Sequence, residues 1–126
     1  MPVQESDRKI VKQVFDAMHA GLDGENAMAS LFLADGVLVE PFSGQVREHR
    51  GDAAIRTWFR EAINSMPPDM SIKLDRLDLE AGLVRADWTC TSPVLPSPIR
   101  GYDLYTLRDG RISRLEIVVT EMPPQG

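Results

Sequence analysis

Two carboxylates stand out for the company they keep. Asp103 lies in IRGYDLYTLRDGRISRLEIVVT, residues 99–120, which reads as two strands joined by a tight turn at Asp109-Gly110. An Asp-Gly pair between alternating runs is a strong hairpin signal, because both turn residues must reach positive φ. Strand alternation places Gly101, Asp103, Tyr105 and Leu107 on one face, and Leu115, Ile117 and Val119 on one face of the next strand. An Asp in the middle of such a face is disfavoured, more so when buried. Two readings stand level: a carboxylate held by backbone N–H groups or an Arg such as Arg100, or an acid or base working in a pocket. Glu40 ends the run Val37-Leu38-Val39-Glu40, just before Pro41. It is either an exposed strand-end charge or, pointing inward, a carboxylate whose pKa rises in an apolar neighbourhood and suits it to general base work. Two carboxylates in one dry cavity push their pKa values apart, which separates acid from base.

The remaining reactive side chains point to less. His19 lies beside the apolar stripe of a helix and reads first as a surface or core-edge residue. His49 sits in a charged loop and reads as solvated. Two histidines so far apart lack metal-ligand spacing, so no metal is expected. Cys90 shares the face of Trp88 and reads as a buried thiol rather than a nucleophile, with no Cys–His pair in view. As the only cysteine it excludes an internal disulfide and fits a reducing compartment. No Gly-rich phosphate loop, nucleophile elbow or zinc spacing occurs, and no cofactor is expected. The net charge of −5 without a basic block argues against nucleic acid or an acidic membrane as partner. A polar N-terminus and the lack of a ~20-residue apolar run point to a cytoplasmic protein. With 126 residues, the expectation is one domain, 1–126.

The elements that must position the carboxylates follow from periodicity. Ile10, Val11, Val14, Phe15, Met18 and Leu22 form a helical stripe after Ser6, a candidate N-cap, and the helix runs to about Gly21. Glu25–Ala34 reads as a second short helix, Asp35-Gly36 as a turn, and Val37–Glu40 as a short strand stopped by Pro41. Residues 42–50 read as a solvated polar loop. A third helix opens at Gly51-Asp52, buries Ile55, Trp58, Phe59, Ala62 and Ile63, and ends by Asn64 and Pro67-Pro68. From Met70 the period becomes two. Ile72, Leu74, Leu77 and Leu79 mark a strand whose parity shift implies a bulge. Val84, Ala86, Trp88 and Cys90 line one face of the next strand. SPVLPSP, with three prolines, forms a loop, the hairpin follows, and PPQG closes the chain as a frayed tail. Three helices followed by a mostly antiparallel meander make an α+β layer arrangement. A strongly curved sheet leaves a cavity between its concave face and the helices. That face carries Val84, Ala86, Trp88, Asp103, Tyr105, Ile117 and Val119, and aromatic residues such as Phe15, Trp58 and Phe59 contribute to core and pocket wall alike.

Three strings in this order, LADGVLVEPF (33–42), GDAAIRTWFR (51–60) and DLYTLRDGRI (103–112), resemble the nuclear transport factor 2-like superfamily, and within it SnoaL-like and ketosteroid-isomerase-like proteins. The resemblance spans roughly Arg8 to Thr120. It implies a cystatin-like cone: a curved antiparallel sheet wrapped on three N-terminal helices, with a pocket at one end, and a homodimer formed through the outer face of the sheet. By position, Glu40 stands where the isomerases carry their general base and Asp103 where they carry a neutral Asp that hydrogen-bonds the oxyanion. The first-helix tyrosine of the isomerases has no counterpart in Phe15-Asp-Ala-Met18-His19, and Phe59 stands near their supporting tyrosine. His19 or Tyr105 is the candidate substitute donor. The resemblance implies a cofactor-free isomerase, cyclase or dehydratase on a small apolar carbonyl compound, or a non-catalytic ligand-binding or dimerisation module of the same fold. Epoxide hydrolysis, a third chemistry of such relatives, needs an Asp–Arg–Asp set, and alternation turns Arg100 away from Asp103.

Overall fold

A computed structural model describes residues 4–123; the tail expected at PPQG lies mostly outside the described residues. Three α-helices, α1 (Glu5–His19), α2 (Glu25–Ser30) and α3 (Asp52–Ser65), pack against one sheet. Its strands are β1 (Phe32–Glu40), β2 (Arg47–Arg50), β3 (Ser71–Glu80), β4 (Leu83–Thr91), β5 (Ile99–Arg108) and β6 (Arg111–Glu121). The six strands form a curved, unclosed sheet in the order β2-β1-β6-β5-β4-β3. All neighbours are antiparallel except β1 and β6. The α+β architecture expected from the sequence is the one observed.

Helix α1 presents Ile10, Val11, Val14 and Phe15 to the core, as its three- and four-residue spacing requires. It opens one residue earlier than Ser6, with Gln4 at the cap position and no side-chain cap. Helix α3 buries Ile55, Trp58 and Phe59, with Gly51 rather than Asp52 at its cap. Glu25 of α2 takes Arg56 and Arg60 of α3, which ties the two helices on the outside.

Two stretches depart from the sequence reading. Helix α2 stops at Ser30, and the chain enters β1 at Phe32, so Asp35-Gly36 is not a turn between elements. It lies in a bulge: the register against β6 shifts between Phe32 and Val37. Burial of Phe32 against Ile112 sets the early start, and the Ile112 N–H bonds the Leu31 carbonyl at 2.8 Å. Residues 47–50, read as solvated loop, form the edge strand β2 paired with β1. Its sequence REHR carries no β-propensity, and charged residues on an edge discourage further pairing. The Gly44 N–H closes a turn on the Pro41 carbonyl, with φ +92° at Gly44, and returns the chain alongside β1.

The rest of the meander follows the alternation. The bulge in β3 falls between Leu74 and Arg76, where the parity shift places it. Asp109 and Gly110 both have positive φ and close the β5–β6 hairpin. Gly101 meets a different demand. A Cβ there would run into the Val118 carbonyl and come within 2.8 Å of the Trp88 ring. Without it, the indole lies across β5 toward Asp103.

Candidate functional site

A cavity of about 490 Å³ lies between the inner face of the sheet and helices α1 and α3. Its size is within the usual range for ligand pockets, ~300–1,000 Å³. Phe15 and Met18 of α1, Trp58 of α3, and Trp88 and Ile117 of the sheet form much of its wall, with Asp103 among them. Asp103 is the one buried carboxyl of that lining. The register explains its position. Asp103 pairs with Ala86 on one side and Ile117 on the other, all on the inner face of the sheet.

Both carboxyl oxygens of Asp103 are held. The Trp88 indole Nε1–H donates to Oδ1 at 2.9 Å, and the Tyr105 hydroxyl donates to Oδ2 at 3.2 Å. Burial pushes the Asp103 pKa up to about 7, against the downward pull of these two donors. Burial and the neighbouring Asp103 hold the Tyr105 phenol well above its usual range, so it remains a donor. Among the described residues neither an Arg nor a backbone amide binds Asp103; Arg100 points outward and pairs with Glu121. Asp103 is thus a carboxyl with near-neutral pKa at the wall of an apolar cavity.

Glu40 is placed differently. It is fully buried on the inner face of β1, beside β6. Extending the register one step beyond Val39↔Glu116 aligns it with Ile117, so Glu40 and Asp103 flank β6 at roughly 10 Å, two strand spacings. Glu40 is not among the residues lining the cavity. Its Oε1 accepts the Phe42 N–H at 2.8 Å. Its Oε2 accepts the Arg47 Nε–H at 3.0 Å, with Arg47 Nη2 in ion-pair contact at 2.9 Å, and meets His49 Nε2 at 2.9 Å. Burial alone would raise its pKa, but the bonds from His49, the Phe42 amide and Arg47 outweigh that and hold it below the usual carboxylate range. His49, expected to be solvated, is instead packed beside Glu40 and tilted against the Trp58 ring at 6.2 Å.

The other expected pocket residues sort by depth. Phe59, Val84 and Ala86 are buried in the core without reaching the cavity, and Val119 packs against that core. Tyr105 is fully buried and meets the site only through Asp103. His19 is fastened elsewhere: its Nε2 accepts the Ile72 N–H at 3.0 Å, which caps the edge of β3. His19 does not line the cavity and the Tyr105 hydroxyl is engaged by Asp103, so neither completes an oxyanion site. Sequence reasoning missed Arg47, Phe42 and Ser43, which line the cavity from the β1–β2 connection, and Met66 and Met70, which line it beyond α3. The signal for the first three was Glu40 itself. A buried carboxylate needs partners, and the next cations along the chain are Arg47 and His49. Cys90 also lines the cavity, and burial pushes its thiol pKa up, which leaves it a poor nucleophile.

Comparison with known proteins fits this geometry. The chain is similar in structure to a ketosteroid isomerase-like protein from Kribbella flavida, with 19% identity, a TM-score of 0.71, and coverage of 97% of this chain and 84% of the other. It is also similar to a polyketide cyclase-like protein from Sinorhizobium meliloti, at 23% identity and TM-score 0.72, covering 91% of this chain and all of that one. A protein of unknown function with a cystatin-like fold from Methylobium petroleophilum aligns at 19% identity and TM-score 0.73, over 98% and 80% of the two chains. At these identities the likeness speaks for the fold alone. No curated protein gives a significant sequence match. The profile of the SnoaL-like domain matches residues 11–115, most of the chain and nearly every element around the cavity, and the chain therefore belongs to the SnoaL-like domain family.

Proposed function

We propose that this SnoaL-like protein is a cofactor-free acid–base enzyme acting on a small, largely apolar carbonyl compound, with Asp103 as the group that moves the proton. One observation carries the reading: a carboxyl with a pKa of about 7 faces a cavity walled mainly by apolar side chains. A general acid or base works best when its pKa lies near the operating pH, and contributes ~100- to 10,000-fold. As carboxylate, Asp103 takes a proton α to the ligand carbonyl. The C–H electron pair enters the new C=C bond, and negative charge collects on the carbonyl oxygen. As neutral acid, Asp103 returns the proton at another carbon of a conjugated enolate, which completes an isomerisation; where the enolate carbon instead attacks a second carbonyl, the C=O π pair moves onto that oxygen and Asp103 returns the proton there, which is a cyclisation. Glu40, expected as the base, lies behind the cavity wall with its pKa held below the usual carboxylate range, which favours Asp103 for that role.

Proton exchange tests this without knowledge of the natural substrate. Small cyclic ketones such as 2-tetralone are incubated with the protein in D2O, and loss of α-protons is followed by NMR. The wild-type protein accelerates exchange, and Asp103→Asn lowers the enzymatic rate by about 100-fold. An undiminished rate in Asp103→Asn would refute the assignment. A second reading, ligand binding without catalysis, is favoured by one observation: the Tyr105 hydroxyl and the Trp88 indole N–H are already spent on Asp103, so neither is left for an enolate oxygen. Ketones that bind without any exchange would select that reading.

A further inference from the structure

We infer that the ligand of this cavity carries a second oxygen acceptor at the end remote from Asp103, that Arg47 receives it, and that Glu40 is the positioning residue that sets Arg47 in place. The inference rests on the reading of the cavity as a site for an apolar carbonyl compound. The lining itself is polarised by depth. Asp103 is buried, and the middle of the wall is aromatic, aliphatic and thioether. The remaining polar lining residues, Ser43, Arg47, Glu61 and Ser65, are exposed and so form the mouth. Among them Arg47 is the only cation.

The geometry at Arg47 is that of a held donor. Its guanidinium reaches Glu40 Oε2 through Nε and Nη2, so its orientation is fixed from behind by a fully buried carboxylate. The Nη1 amino group has no hydrogen bond to any described residue, and the side chain keeps 44% of its surface exposed. The same carboxylate fixes both ends of the β1–β2 connection. It takes the Phe42 N–H at the start and Arg47 at the end, while Phe42, half exposed, and Ser43 also line the cavity. A carboxylate at the position of a catalytic base thus serves here as the post on which the mouth is hung. Glu61 on the α3 side of the mouth is a carboxylate and cannot donate to an oxygen acceptor, and the Ser43 and Ser65 hydroxyls already donate to the Gln45 and Glu61 carbonyls, which leaves that role to Arg47. A charge-assisted hydrogen bond is the stronger kind, so the second oxygen should register clearly in affinity.

Titration calorimetry with three matched probes tests this: 2-acetylnaphthalene, methyl 6-acetyl-2-naphthoate and 6-acetyl-2-naphthoic acid. The wild-type protein is expected to bind at least one of the two-oxygen probes about tenfold tighter than 2-acetylnaphthalene. A preference for the acid over the ester identifies the acceptor as a carboxylate, and equal gains identify a neutral carbonyl. Arg47→Met abolishes the advantage, so that the two-oxygen probes bind the variant no tighter than 2-acetylnaphthalene does. Glu40→Gln reduces the advantage with Arg47 still present, which a purely local role for Arg47 would not produce. Equal affinity for all three probes in the wild-type protein overturns the inference, as does an advantage that survives Arg47→Met. If 2-acetylnaphthalene binds and weakens in Asp103→Asn while the second oxygen adds nothing, this inference falls and the proposed function stands. Binding by none of the probes counts against both.

Discussion

Asp103 owes its character to three neighbours that act in opposite directions. Burial disfavours its charge, while the Trp88 indole and the Tyr105 hydroxyl each favour it. Removal of one donor should therefore let desolvation win further. In Trp88→Phe the Asp103 pKa is expected to rise by roughly one to two units, since a hydrogen bond to a charged group contributes ~1.5–3 kcal/mol. Carboxyl ¹³C NMR of the selectively labelled protein reads the shift; an unchanged or lowered value would show that the indole N–H does not tune this group. The contrast with Glu40 is instructive. Both carboxylates are buried, but Glu40 receives a guanidinium, an imidazole and a backbone amide, and its pKa moves down rather than up. The identity of the hydrogen-bond donors, more than depth, decides which carboxylate can exchange a proton near neutral pH.

At the scale of elements, the hairpin β5–β6 and the bulge in β3 were legible in the sequence, because period-two alternation and an Asp-Gly turn are local signals. Asp103 was legible as an anomaly for the same reason: alternation alone puts a carboxyl among Gly101, Tyr105 and Leu107. What the sequence hid was non-local. Strand β2 has no strand-like composition and exists because β1 offers it an edge and Glu40 offers it a charge. The early end of α2 likewise answers to Phe32 packing on Ile112, eighty residues later in the chain. By alternation alone the Trp88 indole reads as cavity wall. Its role as a donor depends on Gly101, whose missing side chain lets the ring lie across β5. In each case the deciding partner is a strand whose register no local pattern reports. The family resemblance supplied the fold; it implied two carboxylates in one cavity, of which only Asp103 lines it, and the partners that give each its chemistry came only from the packing.

At the scale of the whole molecule, one buried acid makes stability depend on pH in an unusual direction. The folded-state pKa of Asp103 is about 7, against 3.8 for the ordinary side chain. Between these values the unfolded chain binds fewer protons at this site than the folded one, so the contribution of Asp103 to stability falls as pH rises. The full difference corresponds to on the order of 4 kcal/mol. Asp103→Asn removes the penalty. Urea unfolding should find the variant gaining on the wild-type protein from pH 4 to pH 8, with little further change above; a gap that stays constant with pH would contradict a raised pKa. A cost of this size is a large part of the stability of a small domain, typically 5–15 kcal/mol. Its retention is intelligible if the carboxyl works for its living in the cavity. That central claim is tested most directly by the titration of Asp103 itself in the wild-type protein, followed by ¹³C NMR of its carboxyl carbon from pH 3 to pH 9. The account gives a midpoint near 7; a midpoint near the ordinary aspartate value of about 4 would contradict it.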